Sequence, residues 1–414
     1  MAAKKKEEVV EEPRMRMGSD LLDLLVGGDK GVYGLPYGVI LNIIGDRQSG
    51  KSFDKNEILA CNYWLLQDKL EYFSDDCESG DTFDTKRLYG IDLHPEIRRI
   101  GTKVVEDSAT VEEMDAKVSL FLNAKKKDTF GIYAIDSLDG LADSNRITKE
   151  SKRVGQLTSG NDVQDDGDYG AQIAKFLSQD FFRVKHKKLE DSKVSLIIVS
   201  QIRDKMNAST YGVKWQVSCG KALEFYSHTR IFLKTICPIK KGDRVVGAYV
   251  EASTVKSKTP RPYRQVCYSV YFDYGIDNIG SNIDYLFDLR DEKGKLLKVA
   301  SAIIWSENAK PRSLDNLQEW LEANGYTAAC RDDKKEKQGN NRLSVEWILE
   351  WVGKDPDIKA KFDTCFGQEY TRDELIHMCE EDKGMCDELT RRVRDKWEAL
   401  EDAVATKRPS KYGR

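Results

Sequence analysis

Apolar positions along the chain follow two periods. Short runs rich in β-branched residues at 38–44, 70–74, 130–137 and 195–200 have the length and composition of buried strands. Further β-like runs occupy 229–233, 245–251 and 263–272. Between them apolar residues recur at helical spacing. Leu21, Leu22, Leu24 and Leu25 form a stripe that ends at Gly27-Gly28, and Ile58, Leu59, Trp64, Leu65 and Leu66 form a second. A longer helix over 170–188 carries Ile173, Phe176, Leu177, Phe181 and Phe182 on one face. Strands alternating with helices predict an α/β fold with a mostly parallel central sheet covered on both faces. Two polar stretches, 143–168 and 204–220, show neither period and are expected as long functional loops.

Beyond residue 300 the pattern changes. Short helices are expected at 317–321 and 345–352, a solvated linker at 331–342, and a charged helical segment at 372–402. The expected organisation is a disordered tail (1–14), a large core (15–298), a smaller, mainly helical C-terminal domain (299–404) and a basic tail (405–414) suited to DNA contact or to solubility.

With 414 residues, 40% hydrophobic, and a net charge of −4, the chain carries no global signature of nucleic-acid binding, so any such surface must be local. Nine dispersed cysteines fit a reducing compartment, hence a cytoplasmic location. No apolar run approaches 18 residues, and the charged N-terminus lacks the apolar centre of a signal peptide, so no membrane partner is expected. His377, Cys379 and Cys386, with Cys365 upstream, fit no common zinc spacing.

The first strand runs into Gly45-Asp46-Arg47-Gln48-Ser49-Gly50-Lys51-Ser52, which matches G-x-x-x-x-G-K-[ST] at every specified position. Such a loop turns successive backbone N–H groups inward at phosphate oxygens and starts a helix with its positive end facing the same charge. Lys51 is placed for the β- and γ-phosphates and Ser52 for Mg²⁺, with Phe53 just beyond. ATP and Mg²⁺ are therefore the expected cofactors. Asp136, closing the apolar run 130–135, suits the metal. Glu78 follows the strand at 70–74 and can polarise an attacking water, and Gln201 ends the run 195–200 where an amide can touch the γ-phosphate. Asp54, two residues past Ser52, is expected close enough to the phosphates to repel or reposition Mg²⁺. In the second polar loop and at its borders, Arg203, Lys205, Tyr211, Lys214, Trp215 and Lys221 interleave cations with aromatics, as a single-strand site requires. The first loop carries Arg146, Lys149, Lys152 and Arg153 ahead of an acidic run.

These motifs, in this order, resemble those of the RecA-family recombinases, including the UvsX-type proteins of phages. Gly18-Ser19-Asp20-Leu21-Leu22-Asp23 with Gly34-Leu35-Pro36-Tyr37-Gly38 is similar to the family's approach to its core. Glu78 stands twelve residues before Gly90, the spacing that the family keeps after its catalytic glutamate. Ile135-Asp136-Ser137-Leu138, the segment from Ser200 to Met206, and the motif from Gly220 to Tyr226 resemble its metal strand, its γ-phosphate sensor and the close of its second DNA loop. The segment from Lys256 to Gln265 is similar to the one whose two lysines reach a neighbour's ATP. The likeness spans about 18–290 and implies Glu78 as general base, Gln201 as sensor, and Lys256 and Lys258 as cations acting in trans. It also implies partners: single- and double-stranded DNA, further copies of the chain in a helical filament, and a single-strand-binding or mediator protein. The setting is then the cytoplasm, or that of an infected host for a viral protein. Thr82 and Thr85 fall where the family places adenine-contacting residues, and the segment before Gly18 is short for its N-terminal packing helix. The resulting expectation is ATP-dependent strand exchange. A ring motor (helicase or loader) and a weakly hydrolysing DNA scaffold are the alternatives.

Overall fold

The computed structural model describes residues 12–406 apart from 47, 79, 81, 145–169, 205–214, 218–219, 260, 298–302, 306–309 and 339–342. The chain divides into two compact units: one holds residues up to 286, 292–295 and everything from 389 onward, and the other holds 287–291 and 296–388.

The strands of the first unit are β1 (Arg14–Met15), β2 (Leu35–Pro36), β3 (Ile40–Gly45), β4 (Leu70–Asp75), β5 (Arg98–Ile100), β6 (Lys103–Val105), β7 (Phe130–Ile135), β8 (Val194–Asp204), β9 (Trp215–Val217), β10 (Thr229–Lys241), β11 (Arg244–Ser257), β12 (Gln265–Tyr271) and β13 (Gly275–Asp277). Nine of them build one sheet in the order β13-β12-β11-β10-β3-β8-β7-β4, with β9 paired to β8. From β10 to β4 the five neighbours run parallel. β11, β12, β13 and β9 add antiparallel pairs, because short connections such as the one between Lys241 and Arg244 allow nothing else. The α/β expectation with a mostly parallel sheet is met, with an antiparallel flank added.

Burial explains the strand composition. β3 is buried at every position, and Ile135, Leu196 and Ile198 join Val118 and Phe121 of the helix Val111–Ala124 in the core. That helix starts at a reciprocal cap between Thr110 and Glu113. The expected helix over 170–188 extends from Gly170 to Asp191 and is interrupted by a π turn at Leu177–Phe181. The wider turn shifts the helical phase, so that the consecutive Phe181 and Phe182 are both fully buried.

The second unit is mainly helical, with a small ribbon of β14 (Ile303–Trp305) and β15 (Gln368–Tyr370). Its core contains Leu317, Trp320, Leu321, Trp347, Ile348, Trp351 and Phe366. The linker expected at 331–342 is corrected: residues to 338 belong to the helix Thr327–Gln338. Cys330 and Lys334, one turn apart, both face inward, and the Lys334 ammonium lies 5.5 Å from the Trp347 ring centre. The rest of that stretch, 339–342, lies outside the described residues. The helical segment expected at 372–402 is two helices, Arg372–Glu381 and Lys383–Val404, parted at Asp382, which has extended backbone. From Leu389 on, the second of these belongs to the first unit, not to the domain expected at 299–404. Leu389 and Val393 are buried, Arg394 lies over Tyr33 and Glu401 pairs with Arg264 at 2.9 Å. Among the described residues no helix is long and apolar enough to cross a membrane.

Candidate functional site: a phosphate loop with two acids and an amide

The loop between β3 and the helix Lys51–Leu66 is shaped by its glycines. A Cβ on Gly45 would lie 2.4 Å from the Ser49 hydroxyl and 2.7 Å from the Leu233 carbonyl, and Gly50 has φ +89°. Gly50 precedes the helix with no side-chain cap, which leaves the first amides of the helix free for an anion. Lys51 folds back to donate to the Gly45 carbonyl at 3.1 Å and to the Asp46 carbonyl, while Ser49 donates to Asp46 at 2.8 Å. Burial pulls the Lys51 pKa below the ordinary lysine value.

The loop opens on a cavity of about 790 Å³. Gln48, Ser49, Gly50, Lys51, Ser52 and Phe53 line one wall, together with Glu78, Asp136 and Gln201. The three come from the C-terminal ends of neighbouring strands β4, β7 and β8, which is where open α/β sheets bind ligands. Gln201 Nε2 donates to both Glu78 oxygens, at 3.0 and 3.1 Å, and the Ser137 hydroxyl donates to the same carboxylate. The Gln201 amide N–H donates to Asp139 at 3.0 Å. Of the acids at 75–78, Asp75 turns inward to Ser108 and Tyr133, so only Glu78 serves the cavity. Ser52 and Asp136 offer the hydroxyl and carboxylate oxygens that Mg²⁺ takes beside substrate phosphates.

Several expected site residues lie elsewhere. Lys256 faces Arg230, which pairs on its other side with Asn42, midway along β3 and three residues before Gly45 of the phosphate loop. It is six residues beyond Val250, the last cavity residue of β11, or roughly 20 Å along the strand. Its ammonium donates to the Glu224 and Phe225 carbonyls; burial, then the nearby Lys258, lower its pKa. Lys258 is exposed. Arg203 and Trp215 belong to β8 and β9, which pair at the borders of the second loop, and Lys221 is exposed on the helix Gly220–Tyr226. Arg47, Lys205, Tyr211 and Lys214 lie outside the described residues, as do most of both polar loops, including Arg146, Lys149, Lys152 and Arg153. The set at His377, Cys379, Cys386 and Cys365 forms no metal group among the described residues.

Asp54 does not approach the phosphates. It is fully buried, accepts a 2.7 Å hydrogen bond from the Tyr268 hydroxyl, and is absent from the cavity wall. Burial raises its pKa to about 8. The helix period explains the difference: Asp54 is two residues, more than half a turn, past Ser52. One turn further, Glu57 is mostly buried and raised to about 7, with burial the main cause and a hydrogen bond from the Ile276 amide opposing it. A carboxyl whose folded pKa exceeds its unfolded value stabilises the fold fully below about 4.5, and that stability is lost as pH rises through about 7, by up to roughly 3 kcal/mol. Glu57→Gln is therefore expected to flatten the decline of melting temperature between pH 5 and 8. An unchanged slope would show that Glu57 titrates alike in both states.

Three contributors lie outside the motifs. Phe83 packs on Phe53 with ring centres 4.5 Å apart, both lining the cavity, whereas Thr85 is buried and accepts from the Leu93 amide and Thr82 is exposed. The antiparallel flank adds an apolar wall that includes Pro238, Val250 and Phe272. Lys55, fully buried, pairs with Asp136 at 3.1 Å; its position one turn after Lys51 is the signal that could have found it.

The chain is similar in sequence to several known proteins. The family model described as the RecA N-terminal domain matches residues 134–277. The chain is 27% identical over 332 residues to Protein RecA of Sulfurovum sp. (strain NBC37-1), covering 77% of this chain and 86% of that one. It is 28% identical over 303 residues to Protein RecA of Wolinella succinogenes, covering 71% and 76%. A solved chain titled "Crystal structure of the RadB recombinase" aligns at 12% identity and a TM-score of 0.39, over 63% of this chain and 98% of that one. The chain is thus similar in sequence to RecA proteins over about three quarters of its length, and its glycine-rich loop, Glu78, Asp136 and Gln201 converge on one cavity.

Proposed function

We propose that this protein is an ATP-dependent DNA recombinase that assembles on single-stranded DNA, pairs it with a homologous duplex and exchanges strands. The observation that carries the reading is the double hydrogen bond from Gln201 to Glu78. Glu78 stands at the cavity as the group that takes a proton from water. Gln201 lies on β8, which runs on through Arg203 to the second polar loop. A γ-phosphate that draws the Gln201 amide away from Glu78 frees the base and shifts the root of the DNA loop in one movement. Lys51 leaves the loop carbonyls to hold the β- and γ-phosphates, and the amides of 48–52 cradle them. Phe53 and Phe83 offer an apolar surface to the base. Mg²⁺, for which Ser52 and Asp136 supply oxygens, neutralises phosphate charge when bound.

Lys256 and Lys258 are directed at the ATP of a neighbouring copy, so hydrolysis belongs to an assembly. A helical filament, single- and double-stranded DNA, and a mediator or single-strand-binding protein make up the proposed partnership, in a cytoplasm that is a host's if the protein is viral. The test is the hydrolysis rate with and without single-stranded DNA. Strong stimulation is expected, and equal rates would refute the coupling.

A further inference from the structure

Lys55 has no part in the hydrolysis scheme above, yet it is wholly buried beside the acid that the scheme assigns to the metal. Its ammonium lies 3.1 Å from Asp136 Oδ2, with side-chain exposures of 0% for Lys55 and 10% for Asp136. Asp136 lines the cavity and Lys55 does not, so the cation approaches from the core side of the helix Lys51–Leu66. A buried lysine is costly to keep charged without a partner, and an acid that would otherwise offer a full negative charge to a divalent ion is here paired with a fixed monovalent one.

We propose that Lys55 is a positioning residue that holds Asp136 in place and weakens its pull on the divalent ion, so that nucleotide binding depends little on Mg²⁺. The proposal rests on the ATP reading of the cavity. Its physical basis is charge: the ammonium partly neutralises the carboxylate in the metal-free pocket, where Asp136 would otherwise repel the nucleotide phosphates. Once the ion arrives, the same ammonium opposes it. Both effects reduce the difference between nucleotide binding with and without the ion.

The test measures binding of N-methylanthraniloyl-ATP to the full chain in excess Mg²⁺ and in EDTA, for the wild type, Lys55→Met and Lys55→Arg. The expected result is a small ratio of the two affinities in the wild type, a ratio larger by roughly tenfold or more in Lys55→Met, and recovery in Lys55→Arg. A purely structural role would lower the melting temperature of Lys55→Met and leave the ratio unchanged, and that result overturns the proposal. If Lys55→Met does not fold, Lys55→Gln, which keeps a polar end, is judged by the same ratio. If the wild type binds no nucleotide, the ATP reading fails with it. Binding with equal ratios in all variants removes only the role of Lys55.

Discussion

Glu78→Gln is expected to bind ATP as the wild type does and to hydrolyse it 10²- to 10⁴-fold more slowly, a range typical for loss of a general base. Glutamine keeps the size of the side chain and an oxygen that can accept from Gln201 and from the Ser137 hydroxyl, the two groups that hold Glu78 at the cavity. It cannot take a proton from water. The variant therefore separates positioning from proton transfer, and phosphate release together with a nucleotide-binding measurement reads both. Wild-type turnover in Glu78→Gln would place the base elsewhere, and Asp139, which accepts from the Gln201 amide, would be the next acid to test. The same variant should hold the DNA-bound state longer, because a site that binds ATP without cleaving it stays in its triphosphate form.

The second large effect concerns Lys256 and Lys258. In its own chain Lys256 is committed to the carbonyls of Glu224 and Phe225 and sits level with Asn42, away from the phosphate loop. Removing it should therefore leave nucleotide binding by a single subunit intact. A cation delivered in trans to a transferring phosphoryl group contributes on the order of 10³- to 10⁵-fold to turnover. Lys256→Ala and Lys258→Ala are accordingly expected to lose DNA-stimulated hydrolysis by factors in that range while binding ATP normally. Normal stimulated hydrolysis in both would remove the trans assignment. Mixing Glu78→Gln with Lys258→Ala sharpens the result: hydrolysis should reappear at interfaces where an intact acid meets an intact lysine.

The legible parts of this protein were those in which local pattern and global fold ask for the same residues. The runs at 38–44, 130–137 and 195–200 are apolar because β3, β7 and β8 are interior strands, and the phosphate loop is legible because only glycine fits beside Ser49 and Leu233. Glu78, Asp136 and Gln201 could be found because each follows an apolar strand run toward the same edge of the sheet. Direction was harder to read than position. Asp54 is near the phosphates in sequence but rotated to Tyr268 by the helical period, whereas Lys55, one residue further on, turns back to Asp136. Composition also misled at 331–338, where a charged stretch is helical because Cys330 and Lys334 share an inward face. Nothing in local composition marks the helix beyond Leu389 as part of the first unit. Its anchors, Tyr33 and Arg264, are distant in sequence.

ATP turnover is expected to require an assembly on DNA. Negative-stain imaging of the chain with ATP and single-stranded DNA, on the same mixtures used for hydrolysis rates, tests it most directly. Helical filaments are expected, their appearance tracking the stimulated rate, with the rate falling in Lys258→Ala. Monomers or closed rings with an unstimulated rate would contradict it.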